Sequence, residues 1–288
     1  MKERLDKLVV QKKLLESREK ARAYIMSGSI EVDGEIITKP SVLVDTGASI
    51  KLRNPKDGYV SRGALKLKKA LEEFHIDVNG KFCLDIGAST GGFTDCLLRA
   101  GAAEVVAVDV GKNQIAYRLR QDPRVKIIEG FNARYIDQLR FDRTPEIVTI
   151  DVSFISIRHI LEPLGKIIDL RTDIIALIKP QFELHKPYRG FRGVVRDVEV
   201  HREILRTLNS AFISGGYRVY GYTYSPLLGP RGNIEYFAYL KKSDASANGE
   251  KELPGKGEEV FNENKAFGFD TDMVVEQSYL FFKRKSEE

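Results

Sequence analysis

The sequence predicts an α/β fold, a mostly parallel sheet with one antiparallel strand behind a small N-terminal α+β domain. Three observations predict it. Short apolar runs near 81–86, 104–109, 125–129, 147–151 and 173–178 alternate with helical periodicity, as parallel pairing requires. Charged residues close four of these runs, at Asp85, Asp109, Asp151 and Lys179. Late in the chain, Tyr217–Tyr224 and Glu235–Leu240 flank the turn Gly229-Pro230-Arg231-Gly232-Asn233, and such a hairpin gives a parallel sheet its reversed member.

In chain order, Leu5, Leu8 and Val9 recur at helical spacing within Arg4–Lys12. A second helix follows, with Ser17 as N-cap, Gly28 as stop and Ala21, Tyr24 and Ile25 as its apolar stripe. Its other face carries Arg18 and Arg22 one turn apart, with Lys20 nearby. That face suits either RNA phosphates or plain solvent. Ile30-Glu31-Val32 and Glu35-Ile36-Ile37 flank Asp33-Gly34, a two-residue hairpin signal, and Ser49–Leu52 reads as a further strand. Asn54-Pro55-Lys56-Asp57-Gly58 reads as a linker.

Tyr59–Leu67 opens a helix with a core stripe of Leu67, Leu71 and Phe74. Lys66 is one residue off that stripe and Arg62 one turn earlier, so both suit a pocket rim. Lys68 and Lys69 point elsewhere.

The strand Lys81–Ile86 runs into the loop Gly87-Ala88-Ser89-Thr90-Gly91-Gly92-Phe93. Glycines permit tight turns and close backbone approach, and a new helix N-terminus offers unpaired donors. The spacing D-x-G-x-x-x-G-G fits neither G-x-G-x-x-G nor a P-loop ending in G-K-[ST]. A strand-end carboxylate beside bare glycines suits a ligand bearing an amino group or a cation, and S-adenosylmethionine has both; an ordinary strand-to-helix turn is the competing reading. Asp109 lies roughly 20 residues past the loop, where an acidic residue binds ribose hydroxyls in nucleotide-binding sheets. Asn132, past the third strand, is a further contact candidate. Gln114–Arg120 reads as a helix.

Pro180 is expected to cut off helix formation after Lys179, holding the lysine at the sheet edge. The loop Lys186–Arg196 is either a basic cover for a substrate groove or a solvated connection. A helix is expected over Val200–Ser214. Ser243–Lys265 reads as a solvated tail and Met273–Phe282 as a short docked helix or strand.

With 42% apolar and 30% charged residues, the 288-residue chain is ordinary globular material with room for two domains. Its net charge of +5 suits a polyanionic partner. Cys83 and Cys96 form neither a disulfide framework nor a metal spacing, which points to a reducing, cytoplasmic setting without a metal. No secretory signal or membrane-length apolar run is present.

Arg4-Leu5-Asp6, Ser17-Arg18-Glu19-Lys20-Ala21-Arg22, Val32-Asp33-Gly34 and Lys39-Pro40 resemble the alpha-L RNA-binding module of ribosomal protein S-four. The stretch from about residue 4 to 241 resembles the TlyA family, whose catalytic domain is FtsJ-like. The matching motifs include Val60-Ser61-Arg62-Gly63-Ala64-Leu65-Lys66-Leu67, Asp85–Thr94, Asp109-Val110-Gly111, Asn132-Ala133-Arg134, Asp151–Ser156, Lys179-Pro180-Gln181-Phe182-Glu183 and Gly232–Phe237. That resemblance implies a Rossmann-like S-adenosylmethionine-dependent methyltransferase sheet over 59–242, an RNA-binding domain over 1–57 and a tail over 243–288.

It further implies 2′-O-ribose methylation of cytidine in ribosomal RNA, with ribosomal subunits as partners. A Lys-Asp-Lys-Glu tetrad falls on Lys66, Asp151, Lys179 and Glu235, with Lys179 either taking up the proton or stabilising the alkoxide. Asp85, Gly87, Ala88, Ser89, Thr90, Gly91, Gly92, Phe93, Asp109, Val110 and Asn132 are expected at the cofactor, and Arg4, Arg18, Lys20, Arg22 and Arg62 at RNA. The rival readings are a nicotinamide-dependent oxidoreductase, a membrane-active hemolysin and a non-catalytic RNA-binding protein.

Overall fold

The computed structural model describes residues 2–26, 28–37, 39–52, 58–184, 190–244 and 270–287. The linker expected at 54–58, apart from Gly58, lies outside the described residues, as do Lys186–Arg189 and most of the tail. The chain forms two compact units, residues 1–68 with 78–133 and residues 69–77 with 134–288.

In the first unit, β1 (Lys2–Arg4) leads into α1 (Leu5–Gln11) and α2 (Arg18–Met26). The Ser17 hydroxyl caps α2 by accepting from the Lys20 amide at 3.2 Å. β2 (Ile30–Val32) and β3 (Glu35–Ile36) form the expected hairpin. Its turn needs positive φ at both central residues, and Asp33 and Gly34 supply 49° and 91°. β5 (Ile50–Leu52) pairs on the other side of β2, and Leu5, Leu8, Ala21, Ile25 and Ile30 form the core beneath. β4 (Leu43–Asp45) pairs antiparallel with β1, an element the sequence does not announce because Lys2-Glu3-Arg4 carries no apolar signal.

Past the linker, α3 (Gly63–Glu73) buries Leu67 and Leu71 as expected, and Phe74 just beyond it. β6 (Phe82–Ile86), α4 (Gly92–Arg99), β7 (Glu104–Asp109), α5 (Tyr117–Arg120) and β8 (Val125–Glu129) follow. The helix expected from Gln114 begins only at Tyr117. Glu129 takes the Gln114 amide at 3.2 Å, the Thr90 carbonyl takes that of Ala116 at 3.2 Å, and Ala116 stays extended at ψ 139°.

The second unit contains β9 (Ile147–Ile150), α6 (Arg158–Leu164), β10 (Asp173–Ile178), α7 (Pro180–Glu183), α8 (Val198–Ser214), β11 (Tyr217–Tyr224), β12 (Tyr236–Lys242) and α9 (Thr271–Glu287). Asp197 caps α8 through the Glu199 amide at 2.8 Å, which starts that helix two residues before the expected position. The seven-stranded sheet runs β11-β12-β10-β9-β6-β7-β8, and β12, antiparallel to both neighbours, is its reversed member.

Two expectations need correction. Pro180 does not end helical structure after Lys179; it opens α7, because a proline that bars its predecessor from the helix is itself well suited to the first helical position. Lys179 is therefore extended, at φ −111° and ψ 99°. The region Met273–Phe282 is part of a 17-residue helix, α9, longer than the short element expected.

Candidate functional site

In the second unit, strand register assembles three of the expected catalytic residues. β10 pairs with β12 through Ile178 opposite Tyr236, so the next step along the ladder sets Lys179 opposite Glu235. On the other side, β9 runs parallel to β10 with Ile150 beside Ala176, which brings Asp151 alongside. The Lys179 ammonium lies 2.5 Å from the Asp151 carboxylate and donates to the Ser153 hydroxyl at 2.9 Å. Lys179 is only 8% exposed, a burial tolerable for an ammonium because a carboxylate and a hydroxyl satisfy it. Glu235 is fully buried, and a Cβ on Gly229 would lie 2.0 Å from its Oε1. Glycine at 229 makes room for that carboxylate.

The segment after Asp151 is braced by Glu183, which accepts from the Ser156 hydroxyl at 2.6 Å and the Ile157 amide at 2.8 Å. Burial pushes the Glu183 carboxyl above its ordinary range. Within this braced segment Phe154 is 89% exposed and adopts φ 64°, a conformation unfavourable for a bulky side chain. Its ring lies 5.0 Å from that of Phe182. Strain of this kind gathers at functional sites. The sequence gives no signal for it, since only the backbone angle distinguishes Phe154 from other phenylalanines.

In the first unit, the glycine loop and the end of β7 form a second constellation. Asp109 accepts the Ser89 amide at 2.7 Å and the Gly111 amide at 2.6 Å, which ties the two loops together. Ser89 and Asn132 are exposed and Thr90 and Asp109 half-buried, while Val110 stands 72% exposed. Gly87 turns the chain at the start of the loop with φ 88°. Other expected cofactor residues support the loop from behind. Asp85 is fully buried and accepts the Thr94 hydroxyl at 2.6 Å, and Ala88 and Phe93 are buried. Gly91 and Gly92 are bare because protein packs there, since added Cβ atoms would lie 2.2 Å from Leu119 Cδ1 and 2.4 Å from Ser61 Oγ. Lys66 and Arg62 are half-buried, on α3 and just before it.

An exposed apolar side chain and a strand-end carboxylate tied to a glycine-rich loop are residue types that fit the adenine and ribose parts of S-adenosylmethionine. Among the described residues, no group of three or more metal-ligating side chains occurs.

The basic residues of the front module are not merely solvated. Arg4, Arg18 and Arg22 converge on the fully buried Asp6, at 2.9, 2.8 and 3.4 Å. Lys20 instead pairs with Glu16. Three guanidinium groups around one carboxylate leave excess positive charge on a partly exposed surface, which attracts polyanions. The hydrogen bond from Arg4, with help from Arg18 and against desolvation, holds the Asp6 carboxyl well below its ordinary value. A depressed carboxyl stabilises the fold fully above the unfolded-state value of about 4 and loses that contribution as pH falls below it. Melting curves should therefore show wild-type stability dropping below about pH 4. Asp6→Asn should melt lower at neutral pH and show a shallower acid dependence.

The model for FtsJ-like methyltransferases matches residues 59–242, and that for the S4 domain matches residues 3–50. The 16S/23S rRNA (cytidine-2′-O)-methyltransferase TlyA of Mycobacterium tuberculosis is 43% identical over 240 residues, covering 83% of this chain and 89% of that one. A Bacillus subtilis protein provisionally named rRNA methyltransferase YqxC is 42% identical, over 99% of this chain and 96% of its own. A solved structure from Streptococcus thermophilus, provisionally called a hemolysin, superposes with a TM-score of 0.72 at 39% identity, over 100% of this chain and 99% of that one.

Proposed function

This chain belongs to the FtsJ-like methyltransferase family, and from that premise we propose that it methylates the ribose 2′-hydroxyl of cytidine in ribosomal RNA. The observation that carries the reading is the buried Lys179–Asp151 pair, opposite Glu235 at the ends of neighbouring strands. Two relatives whose names specify rRNA (cytidine-2′-O)-methylation support the choice of substrate.

S-adenosylmethionine supplies an electrophilic methyl group on a sulfonium. A ribose hydroxyl is a poor nucleophile at neutral pH, so the protein must align it and ease its loss of a proton. Paired with a carboxylate, Lys179 contributes positive charge at the reacting oxygen, stabilising the developing alkoxide while the hydroxyl proton leaves to solvent. Asp151 holds that ammonium in place and Glu235 orients it, while Lys66, in the other compact unit, is the fourth tetrad member by resemblance alone. Phe154 offers an exposed ring on which the target base stacks.

Asp109, Val110 and the 87–90 edge receive the cofactor, with Asp85, Phe93, Gly91 and Gly92 supporting them. Residues 1–57, matched in large part by the S4 model, contact RNA phosphates through Arg4, Arg18 and Arg22. Residues 59–242 form the catalytic domain, and the protein works in the cytoplasm, where ribosomal subunits are found. Among the described residues, no helix is long and apolar enough to cross a membrane.

The test is transfer of tritiated methyl from S-adenosylmethionine to separated small and large ribosomal subunits lacking the modification, followed by mapping of the labelled nucleotide. Label in 2′-O-methylcytidine is expected. No incorporation into either subunit, or label on a base, overturns the proposal.

A further inference from the structure

The C-terminal helix α9 begins at Thr271, well beyond the last residue of the methyltransferase match at 242. It nevertheless packs against the body of the domain beside the start of β12. Val274, Val275 and Ser278 are buried, and Arg202 of α8 pairs with Glu276 at 2.6 Å.

From Ser278 a chain of polar contacts runs inward. The Ser278 hydroxyl lies 3.3 Å from the Tyr236 phenol, and that phenol lies 3.0 Å from His201 Nδ1. His201 Nε2 lies 3.0 Å from the Val195 carbonyl. A carbonyl can only accept, so Nε2 carries the ring proton and Nδ1 accepts from Tyr236, while the Ser278 hydroxyl donates to the Val275 carbonyl at 2.7 Å and meets the phenol oxygen as a close polar contact. Burial holds His201 below its ordinary value, consistent with a neutral ring. From the same segment, the Val195 amide donates to Asn233 Oδ1 at 3.0 Å, and Asn233 Nδ2 donates to the Gly193 carbonyl at 2.9 Å. One turn-step away on α9, the Tyr279 hydroxyl donates to the Arg196 carbonyl at 2.8 Å.

Two residues near Glu235 in the chain are members of this network: Asn233 two residues before it and Tyr236 immediately after. Both are almost completely buried. We propose that α9 is a positioning element for Glu235, with Ser278 and Tyr279 as the positioning residues. They fix the 193–196 segment and the start of β12, and through these the backbone that presents the Glu235 carboxylate. The inference rests on Glu235 belonging to the catalytic set.

The test compares full-length wild type, Ser278→Ala/Tyr279→Phe, Tyr279→Phe alone and Glu235→Ala for kcat, KM for ribosomal subunits, cofactor affinity by calorimetry and melting temperature. For the double variant kcat should fall about tenfold, with KM and cofactor affinity unchanged. Tyr279→Phe removes a single oxygen and should retain the fold while lowering kcat by about threefold. Wild-type kcat in both variants, with Glu235→Ala inactive, overturns the role of α9. Activity retained in Glu235→Ala overturns the catalytic reading of Glu235 and this inference with it.

Discussion

Replacing Lys179 with alanine is expected to lower methyl transfer by about 10³-fold, in the range found when a positioned proton-transfer or charge-stabilising group is lost. Two effects act together. The positive charge facing the developing alkoxide disappears, and Asp151, whose carboxylate sat 2.5 Å from the ammonium, is left without its counter-charge. Cofactor affinity should be nearly unchanged, because the loops around Asp109 contain no part of this pair. Lys179→Arg should rescue little, since a planar fork cannot reproduce a compact ammonium seated between a carboxylate and the Ser153 hydroxyl. The measurements are single-turnover methyl transfer and calorimetric cofactor binding on variants of verified fold. Near-wild-type transfer by folded Lys179→Ala would remove this residue from the mechanism.

Gly91→Ala should be the most damaging single-methyl change in the glycine loop. A Cβ at this position meets Leu119 Cδ1 at 2.2 Å and Ile115 Cγ2 at 3.6 Å, and φ is 91°. Overpacking of a filled site costs about 1–3 kcal/mol, and the left-handed conformation adds roughly 1–2 kcal/mol for a residue bearing a Cβ. Gly34 provides an internal control. It has the same φ of 91° with nothing within 4 Å of its virtual Cβ, so Gly34→Ala reports backbone strain alone. We expect Gly91→Ala to melt clearly lower than Gly34→Ala and to bind S-adenosylmethionine about tenfold more weakly, because the buried Leu119 must shift its Cδ1 within a filled site beside the loop. Equal melting temperatures for the two variants would show that the loop has slack that its geometry does not display.

What the sequence reveals and what it hides follow from the kind of signal each feature leaves. Buried strands leave apolar runs, so β6, β7, β8, β9 and β10 are readable almost to the residue, and the charged ends Asp151 and Lys179 do meet, whereas Asp85 is buried behind the loop. The Asp33-Gly34 hairpin is readable because few residue pairs accept two consecutive positive φ values. By contrast, β1, read Lys2-Glu3-Arg4, is held by backbone pairing to β4 without an apolar run of its own. The exposure and strain of Phe154 are written in φ, and the function of Glu183 as a brace depends on contacts across 27 residues of chain. Glycines mislead in a particular way. Gly34 faces open space, while Gly91 and Gly92 are bare because other parts of the protein occupy the space a side chain would need, and composition cannot distinguish the two. The arginines of α2 look like a solvated or RNA-facing stripe until Asp6, a single unremarkable letter in the sequence, is found buried beneath them.

The reversed strand has a consequence for how the polypeptide acquires its activity during synthesis. β12 follows β11 in the chain but lies between β10 and β11 in the sheet. β11 therefore has no native edge to join until β12 has emerged, and the two must add to β10 together as a ready-made ribbon. Glu235 reaches Lys179 only at that moment. A nascent chain still missing its last strand would expose an open sheet edge and lack Glu235 opposite Lys179, so on the proposed mechanism methyl transfer appears only once translation of the domain is essentially finished.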